Sequence, residues 1–561
     1  MPDNEVPATG EPGRGGASTL SPTAVTVAPA PGDPTPARTS PTTATGSQPD
    51  PGPAAHGRHA RRHRAVSGTT DPGSGRGLMA ALRSTPQGLS PAWRKVLVAT
   101  VVVQVLLVVT VALVTALDFH FMAPIDEENH FSYVQQIAQH GTLPVLGRTE
   151  NSLQGLAMIQ GRYPRPTTEV PAKMGLWGLT YEAFQPPLYY LSAVPAYDTT
   201  GNFIDKVYAI RLYDMALFLL AVALAARLAR VVLEDRWLIG WSMMLVFFAL
   251  PGVVVRSVTI SNLPLAIPLT VLFGTELTIA WKRHSGKRLV GAGAVAGLCV
   301  LTELELLVLV PVLVVVVVAE AVHRLRRPAV ADGNLAAPPA SETPTRRERR
   351  ERRERQEHPG GTAARLAPLV AALAVPLVLM APWFAFNEAN YHMLTAGPIA
   401  IREQTPYINP GHVRLPLAQL PDQTVPLLDP TLPQEWGAAL VGQPALSYLD
   451  TLLGILVVPA GLVVLLALGR RLWTVRSAIL GLPWLLTIVE LWYIRFGEQW
   501  QVFSRYTYPS LPLLIALVAE ATGTFRNRAL PVMVNIAATC SVAAIWGYLI
   551  FAYTGPWALQ R

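Results

Sequence analysis

Long apolar runs constrain this chain more than any other feature of its sequence. One run extends from Val96 to Leu117, and another extends from Leu289 to Val322 with Glu303 and Glu305 near its middle. A helix of about 20 apolar residues crosses the hydrocarbon core of a bilayer. Hydrophobic residues fill 51% of the 561 positions and charged residues 15%, a composition too apolar for an ordinary soluble domain. The sequence therefore predicts an all-α polytopic membrane protein.

Basic residues beside these runs predict their orientation, because Lys and Arg concentrate in cytoplasmic segments. Arg94 and Lys95 precede the first run, so we expect a cytoplasmic N-terminal tail. Both flanks of Leu289–Val322 are basic, so this run is expected to cross the membrane twice and to turn outside near Thr302–Glu305. About eleven crossings follow, with the C-terminus outside. They are predicted at 96–117, 207–231, 237–255, 259–281, 287–302, 303–322, 364–386, 446–468, 476–494, 507–522 and 530–552.

The segments between the spans predict four regions. The N-terminal tail is rich in Pro, Ala, Ser and Thr and lacks apolar periodicity, which is typical of disorder. A second polar segment carries a run of Arg and Glu and is predicted to be a cytoplasmic linker. The predicted regions are the tail at 1–92, a transmembrane module at 93–323 with an external loop at 118–206, the linker at 324–363, and a second transmembrane module at 364–561 with an external loop at 387–445.

The acidic stretch after the first span is the best sequence clue to chemistry. It places Asp126, Glu127 and His130 where a membrane-anchored loop is expected to meet water. A short helix is expected over Ser132–His140 with Gly141 at its end, so the acids lie near the helix N-terminus, where the helix dipole favours carboxylates. These residues could form a general base with a supporting carboxylate, could bind a divalent cation such as Mg, Mn or Ca, or could belong to a solvated acidic loop.

Charged residues in or near the spans form a second group of candidates, since a charge buried in a bilayer costs free energy unless it is paired or faces water. Arg256, Glu303, Glu305 and Arg505 all map to the predicted outer side, which is also the side of the acidic stretch. This convergence predicts one outward-facing cavity. Glu276 lies deeper in its span and is predicted to be a structural partner of a neighbouring helix.

Several short motifs occur in an order that resembles the glycosyltransferase-C superfamily. The dipeptide Asp126-Glu127 follows the first span and precedes the pattern HFxYxxxIxxHGxLP. Gln185–Tyr190 reads QPPLYY, and Ser504 begins the segment SRYTYPSLPLL. Over residues 95–553 the chain is similar in particular to the bacterial family 39, protein-mannosyltransferase-like enzymes and to actinobacterial polyprenyl-phosphate-sugar-dependent glycosyltransferases.

This resemblance implies a glycosyltransferase-C-like helical bundle in the cell membrane with an external active site. It implies inverting transfer of a hexosyl or pentosyl group from a polyprenyl-phosphate donor to a wall polysaccharide, lipid or protein. A hydroxyl acceptor needs a base, whereas a phosphate leaving group departs without a general acid. The implied catalytic residues are Asp126 as base and Glu127 as its supporter. The implied substrate-binding residues are His130, Gln185, Tyr189, Arg256, Arg505 and Lys173. The ligands of a divalent cation would be Asp126, Glu127 and Glu303.

Four positions depart from the pattern of many relatives. Glu128 stands where a proline is common, Glu303 where a lysine is common, Leu263 where the second residue of an Asn-Asp pair is expected, and Phe386 where an arginine often precedes the residue that is Asn387 here. Two other functions stay open, namely a transporter or flippase of a lipid-linked saccharide and an inactive membrane scaffold. The net charge of +8 is assigned to topology and contact with membrane lipids rather than to nucleic acid, because the arginines cluster beside the spans.

Overall fold

The described part of the chain is helical. The computed structural model describes residues 89–118, 126–159, 164, 178–326, 362–400, 474–497, 504–522 and 529–554. In these residues the one extended pairing is an isolated antiparallel bridge between Glu150 and Leu179. The prediction of an all-α fold is therefore confirmed for this part of the chain.

The described residues form fourteen α-helices, numbered here in chain order. They are α1 Pro91–Asp118, α2 Glu127–His140, α3 Leu153–Ile159, α4 Leu188–Tyr197, α5 Phe203–Leu233, α6 Trp237–Phe248, α7 Pro251–Val258, α8 Leu263–Arg283, α9 Gly286–Val300, α10 Leu309–Arg326, α11 Thr362–Tyr391, α12 Val475–Trp492, α13 Leu511–Thr522 and α14 Leu530–Thr554. Short 3₁₀ turns lie at Tyr181–Phe184, Glu234–Arg236, Leu304–Val308 and Ser504–Thr507.

Seven helical segments in the described ranges are long and apolar enough to span a membrane, as expected for a multi-pass membrane protein. One of them, Phe203–Phe248, comprises α5, α6 and the turn between them. The long run Leu289–Val322 is divided between α9 and α10, as predicted from its basic flanks. The predicted span at 446–468 lies outside the described residues, and every other predicted span overlaps a helix.

Several predicted spans have the wrong boundaries, and two of them bear on the site. The span predicted at 237–255 is two helices, because Pro251 lacks the N–H needed to continue α6 and instead lies in the first turn of α7. The span predicted at 259–281 begins later, at Leu263. The residues Thr259–Asn262 are left outside a helix, which leaves the Ile260 N–H available to a partner elsewhere in the chain.

Helix α8 packs between α5 and α9 and connects two ends of the bundle. Its 21 residues extend for about 31 Å, which is close to the thickness of a bilayer core. Shortly before its first residue, the Ile260 N–H donates a hydrogen bond to Glu127 Oε1 at 3.2 Å. Near its last residue, Lys282 Nζ lies 2.7 Å from Glu234 Oε1. These two regions are called the Asp126 end and the Lys282 end below.

Candidate active site

Asp126 immediately precedes α2 and has an unusual backbone conformation. Its φ of 82° and ψ of −6° lie in the left-handed region, which residues other than glycine seldom occupy. Its carbonyl oxygen accepts hydrogen bonds from the N–H groups of Asn129 and His130, both at 3.0 Å. Its side chain makes no capping hydrogen bond, and Oδ2 instead lies 2.8 Å from Nη2 of Arg505. The backbone therefore directs a buried carboxylate away from its own helix and toward a cation.

Helix α2 brings polar residues into the protein interior. It begins at Glu127 rather than at the predicted Ser132, and it ends at Gly141 as predicted, where a φ of 66° favours glycine. The residues of its first turn, Glu127 to His130, are all buried. The alternative of a solvated acidic loop is therefore wrong, because these side chains contact protein rather than bulk water.

Glu127 binds an arginine that was not predicted from the sequence as its partner. Arg211 of α5 donates to both carboxylate oxygens of Glu127, from Nε at 2.8 Å and from Nη2 at 2.6 Å. Both side chains are fully buried. This bidentate ion pair attaches the start of α2 to α5. An arginine inside an apolar span was the signal that could have identified Arg211, since such residues are usually paired.

Tyr189, a predicted substrate-binding residue, also contacts α5. Its hydroxyl donates to Oδ2 of Asp214 at 2.9 Å, and its side chain is fully buried. Asp214 lies three positions after Arg211, on the same face of α5. In this structure Tyr189 therefore helps to hold α4 against α5 rather than facing a cavity.

His130 lies in a polar contact between α2 and α4. Its Nδ1 is 2.8 Å from the hydroxyl of Tyr190, and its Nε2 is 3.9 Å from Glu182 Oε1. Burial lowers the pKa of His130 well below its usual value, and the positive charges of Arg505 and Arg256 lower it further. His130 is consequently a neutral imidazole at physiological pH, able to exchange hydrogen bonds but not to supply a cation.

Gln185 lies where α2 meets the turn between α9 and α10. Its side-chain oxygen is 3.5 Å from the Leu304 N–H, and its backbone oxygen accepts from the Tyr133 hydroxyl at 3.1 Å. Nearby, the Leu188 N–H donates to the carbonyl of Leu301 at 2.9 Å. The QPPLYY segment, the acidic stretch and the turn at residues 302–305 are therefore in contact.

Four glutamates from three segments lie close enough to interact electrostatically, and three of them also interact with Arg505. Glu182 lies in the turn before α4, Glu303 and Glu305 lie between α9 and α10, and Glu490 lies near the end of α12. Their carboxyl groups interact electrostatically with one another. The positive charge of Arg505 acts on three of them, namely Glu182, Glu303 and Glu305. Each has one buried carboxyl oxygen without a hydrogen-bond partner. The convergence predicted for Glu303, Glu305 and Arg505 is present, with Glu182 and Glu490 in addition.

Excess carboxyl groups in this region shift one another's protonation. Burial raises the pKa of Glu128 to about 8, with the charge of Asp126 as the next cause. Asn129 Nδ2 donates to Glu128 Oε1 at 2.9 Å. Burial and Asp126 likewise raise the pKa of Glu182 well above its usual value, although Arg505 opposes this effect. Asp126 therefore lies among carboxyl groups that retain protons at neutral pH.

The expected cation ligands Asp126, Glu127 and Glu303 do not fit a divalent cation in this arrangement. Mg²⁺ and Ca²⁺ need several convergent oxygen ligands, but both oxygens of Glu127 bind Arg211. Within the described ranges no group of three or more His, Cys, Asp or Glu side chains is arranged to hold a metal ion. Lys173 lies outside the described residues.

No protein-family model matches the chain, and no curated protein matches it. Remote matches occur among solved structures. ArnT from Cupriavidus metallidurans bound to undecaprenyl phosphate is 16% identical, with a TM-score of 0.43, over 80% of this chain and 64% of that one. The oligosaccharyltransferase from Archaeoglobus fulgidus in complex with Zn and sulfate is 13% identical, with a TM-score of 0.35, over 78% of this chain and 53% of that one. The chain thus spans less than two thirds of either protein.

Proposed function

We propose that this chain is an integral membrane glycosyltransferase that transfers a sugar from a polyprenyl-phosphate donor to an acceptor hydroxyl on the outer side of the membrane. The observation that carries the proposal is the buried Asp126 carboxylate, held in a left-handed backbone conformation 2.8 Å from the Arg505 guanidinium. Such a conformation costs on the order of 1–3 kcal/mol and is typical of functional sites. The acceptor is a wall polysaccharide, a lipid or a protein.

Asp126 serves as the general base in this proposal. Its carboxylate accepts the proton of the acceptor hydroxyl while the hydroxyl oxygen bonds to the anomeric carbon of the sugar. The bond from that carbon to the phosphate oxygen breaks, and its electron pair leaves with the polyprenyl phosphate. A single displacement of this kind inverts the anomeric configuration. The phosphate needs no proton to leave, so one carboxylate suffices.

Arg505 serves as the phosphate-binding cation. Guanidinium groups bind phosphate oxygens through paired, charge-assisted hydrogen bonds. In this structure Arg505 contacts Asp126, and its side chain is only 13% exposed. A donor phosphate would share Arg505 and stabilise the charge that develops on the leaving group. Arg256, buried in α7, provides a second positive charge near His130 and Glu128.

The Glu127–Arg211 pair fixes the position of the base. Because Asp126 is adjacent to Glu127, the two hydrogen bonds from Arg211 and the one from the Ile260 N–H anchor the backbone on which the base is mounted. Catalytic groups need support of this kind to remain within a fraction of an ångström of a productive position. Glu127 is therefore assigned to positioning rather than to contact with substrate.

The direct test is turnover by the purified protein with a panel of polyprenyl-phosphate sugars and candidate acceptors, with and without divalent cation. Asp126→Asn should lower the rate of transfer by about 10²–10⁴-fold, the usual contribution of a general base. Donor binding should persist because the substitution leaves Arg505 in place.

The matched control is Asp205→Asn, which changes an exposed aspartate in the first turn of α5. It should transfer sugar at the wild-type rate. Unchanged transfer by the folded Asp126→Asn protein would contradict the assigned base. Movement of an intact lipid-linked saccharide across the vesicle membrane, without a new glycosidic bond, would instead identify a flippase.

A further inference from the structure

Helix α8 exposes only a narrow stripe between its neighbours α5 and α9. The partly accessible residues Leu265, Leu269, Leu272 and Ile279 follow one another with helical spacing, and Glu276 lies in the same line. Most of the remaining residues of α8 are buried, including 78% of those in its most apolar stretch of 18 residues. The stripe is therefore the floor of a groove whose walls are α5 and α9, and it is apolar except for one carboxylate.

Two arginines, one from each wall, meet over this carboxylate. Arg227 Nη2 of α5 is 2.6 Å from Glu276 Oε1, and Arg288 Nη1 of α9 is 2.6 Å from Glu276 Oε2. The arginine side chains are 42% and 46% exposed, whereas that of Glu276 is 10% exposed. Each guanidinium uses one nitrogen for Glu276, so further N–H groups point outward. This Arg227–Glu276–Arg288 fork carries a net charge of +1.

The fork lies at the depth of lipid headgroups. Glu276 precedes the end of α8 at Arg283 by about 10 Å along the helix axis, and Arg227 precedes the end of α5 at Leu233 by about 9 Å. A bilayer is about 40–45 Å thick with its headgroups and about 30 Å without them. Helix α5 has 31 residues and is about 46 Å long, so it extends beyond a core of about 30 Å, and Arg288 lies in the first turn of α9. The two guanidinium groups therefore fall near the boundary between headgroups and hydrocarbon.

The surrounding surface is strongly positive. Residues 227–236 and 276–288 contain seven Lys or Arg and three Asp or Glu. Arg230 lies over the ring of Trp237 with its guanidinium carbon 4.3 Å from the ring centroid, and tryptophan is common at membrane interfaces. Clusters of cations beside a spanning helix attract anionic lipids, at about 1 kcal/mol for each Lys or Arg near the surface.

We propose that this groove binds one anionic phospholipid. Its phosphate accepts hydrogen bonds from the outward N–H groups of Arg227 and Arg288, and an acyl chain lies along Leu272, Leu269 and Leu265. The fork is about 20 Å along α8 from Leu263, at the Lys282 end, so it is separate from the Asp126 site and does not depend on the reaction proposed there.

Native mass spectrometry of the full-length protein in mild detergent tests the proposal, with phosphatidylglycerol, phosphatidylcholine of matched chains, and undecaprenyl phosphate as probes. Wild-type protein should bind phosphatidylglycerol more tightly than phosphatidylcholine. Arg227→Gln with Arg288→Gln should weaken that binding by about tenfold or more, since two charge-assisted contacts are lost. Arg94→Gln with Lys95→Gln removes two charges at the start of α1 and should leave the affinity unchanged.

Two further variants keep the test decisive if the double Gln protein does not fold. Arg227→Lys with Arg288→Lys retains the charge but not the planar donors, so the affinity should fall. Glu276→Gln raises the charge of the fork and should leave phosphatidylglycerol binding intact or stronger. Equal affinity for phosphatidylcholine, equal phosphatidylglycerol binding by the Arg variants, or a loss of undecaprenyl-phosphate binding in the Arg variants without a loss of phosphatidylglycerol binding would overturn the proposal.

Discussion

The two ends of α8 carry their charges in opposite ways. At the Asp126 end, four glutamates interact electrostatically, three of them with Arg505, and each has a buried carboxyl oxygen without a hydrogen-bond partner. At the Lys282 end, three glutamates of the described ranges are paired: Glu276, Glu320 and Glu234 each have a Lys, Arg or His partner at 2.6–2.8 Å.

This difference separates structural charge from functional charge. A buried acceptor without a partner costs roughly 1–3 kcal/mol, so a fold that retains several of them in one place loses stability there. Complete pairs, such as Glu320 with His284 and Arg324, need no purpose beyond holding helices together. The buried glutamate acceptors without partners lie at the Asp126 end, where they lower the stability of the fold. The Glu127–Arg211 pair at the same end is fully buried and fully paired.

The largest expected effect comes from opening that pair. Arg211→Met should lower the free energy of unfolding by about 3–5 kcal/mol, because it leaves the Glu127 carboxylate buried without its cation. Lys282→Met opens a pair whose acid is 73% exposed, and it should cost less than about 1 kcal/mol. Thermal denaturation in one detergent measures both. Adding Glu127→Gln to Arg211→Met should restore part of the loss, and equal losses at the two ends would contradict the comparison.

A smaller effect is expected from Arg505. Arg505→Gln should weaken donor binding about 10–100-fold, which corresponds to about 1.5–3 kcal/mol for a charged hydrogen bond. The change should appear mainly in the KM for the polyprenyl-phosphate sugar. Arg476→Gln opens an arginine–glutamate pair with Glu520 and should leave this KM unchanged. A normal donor KM in Arg505→Gln would remove the phosphate-binding role.

Sequence patterns predicted the helices well because apolar length and basic flanks are local signals. They also predicted a helix that stops at Gly141 with the acids near its N-terminal end, although its start was placed five residues too late, and they predicted Glu276 as a partner of a neighbouring helix. They did not predict Arg211 as the partner of Glu127, since these residues are 84 positions apart.

The burial of α2 was missed for a related reason. Polar residues in an external stretch suggest contact with water, and neither composition nor spacing shows that other segments cover them. Tyr189 illustrates the same limit, because an interfacial tyrosine and a tyrosine bonded to a buried Asp214 have the same sequence signature.

The smallest expected effect is a difference in pH dependence between the two ends. Glu128 has an ordinary pKa of 4.5 that burial raises to about 8 in the folded protein. Between these values the folded state holds a proton that the unfolded state has released. Stability should therefore fall as the pH rises, by at most about 1.4 kcal/mol per pH unit for this group, until the pH reaches about 8.

Glu128→Gln isolates this contribution. Glutamine can still accept the hydrogen bond from Asn129 but cannot titrate, so the variant should lose less stability than wild type between pH 6 and pH 8. At the other end, the hydrogen bond from Lys282 lowers the pKa of Glu234, so its stabilisation is lost only as the pH falls through the acidic range. Glu234→Gln should consequently leave the slope between pH 6 and pH 8 unchanged. Identical slopes in wild type and Glu128→Gln would mean that Glu128 is already ionised at pH 6, and the excess negative charge at the Asp126 end would then need a cation.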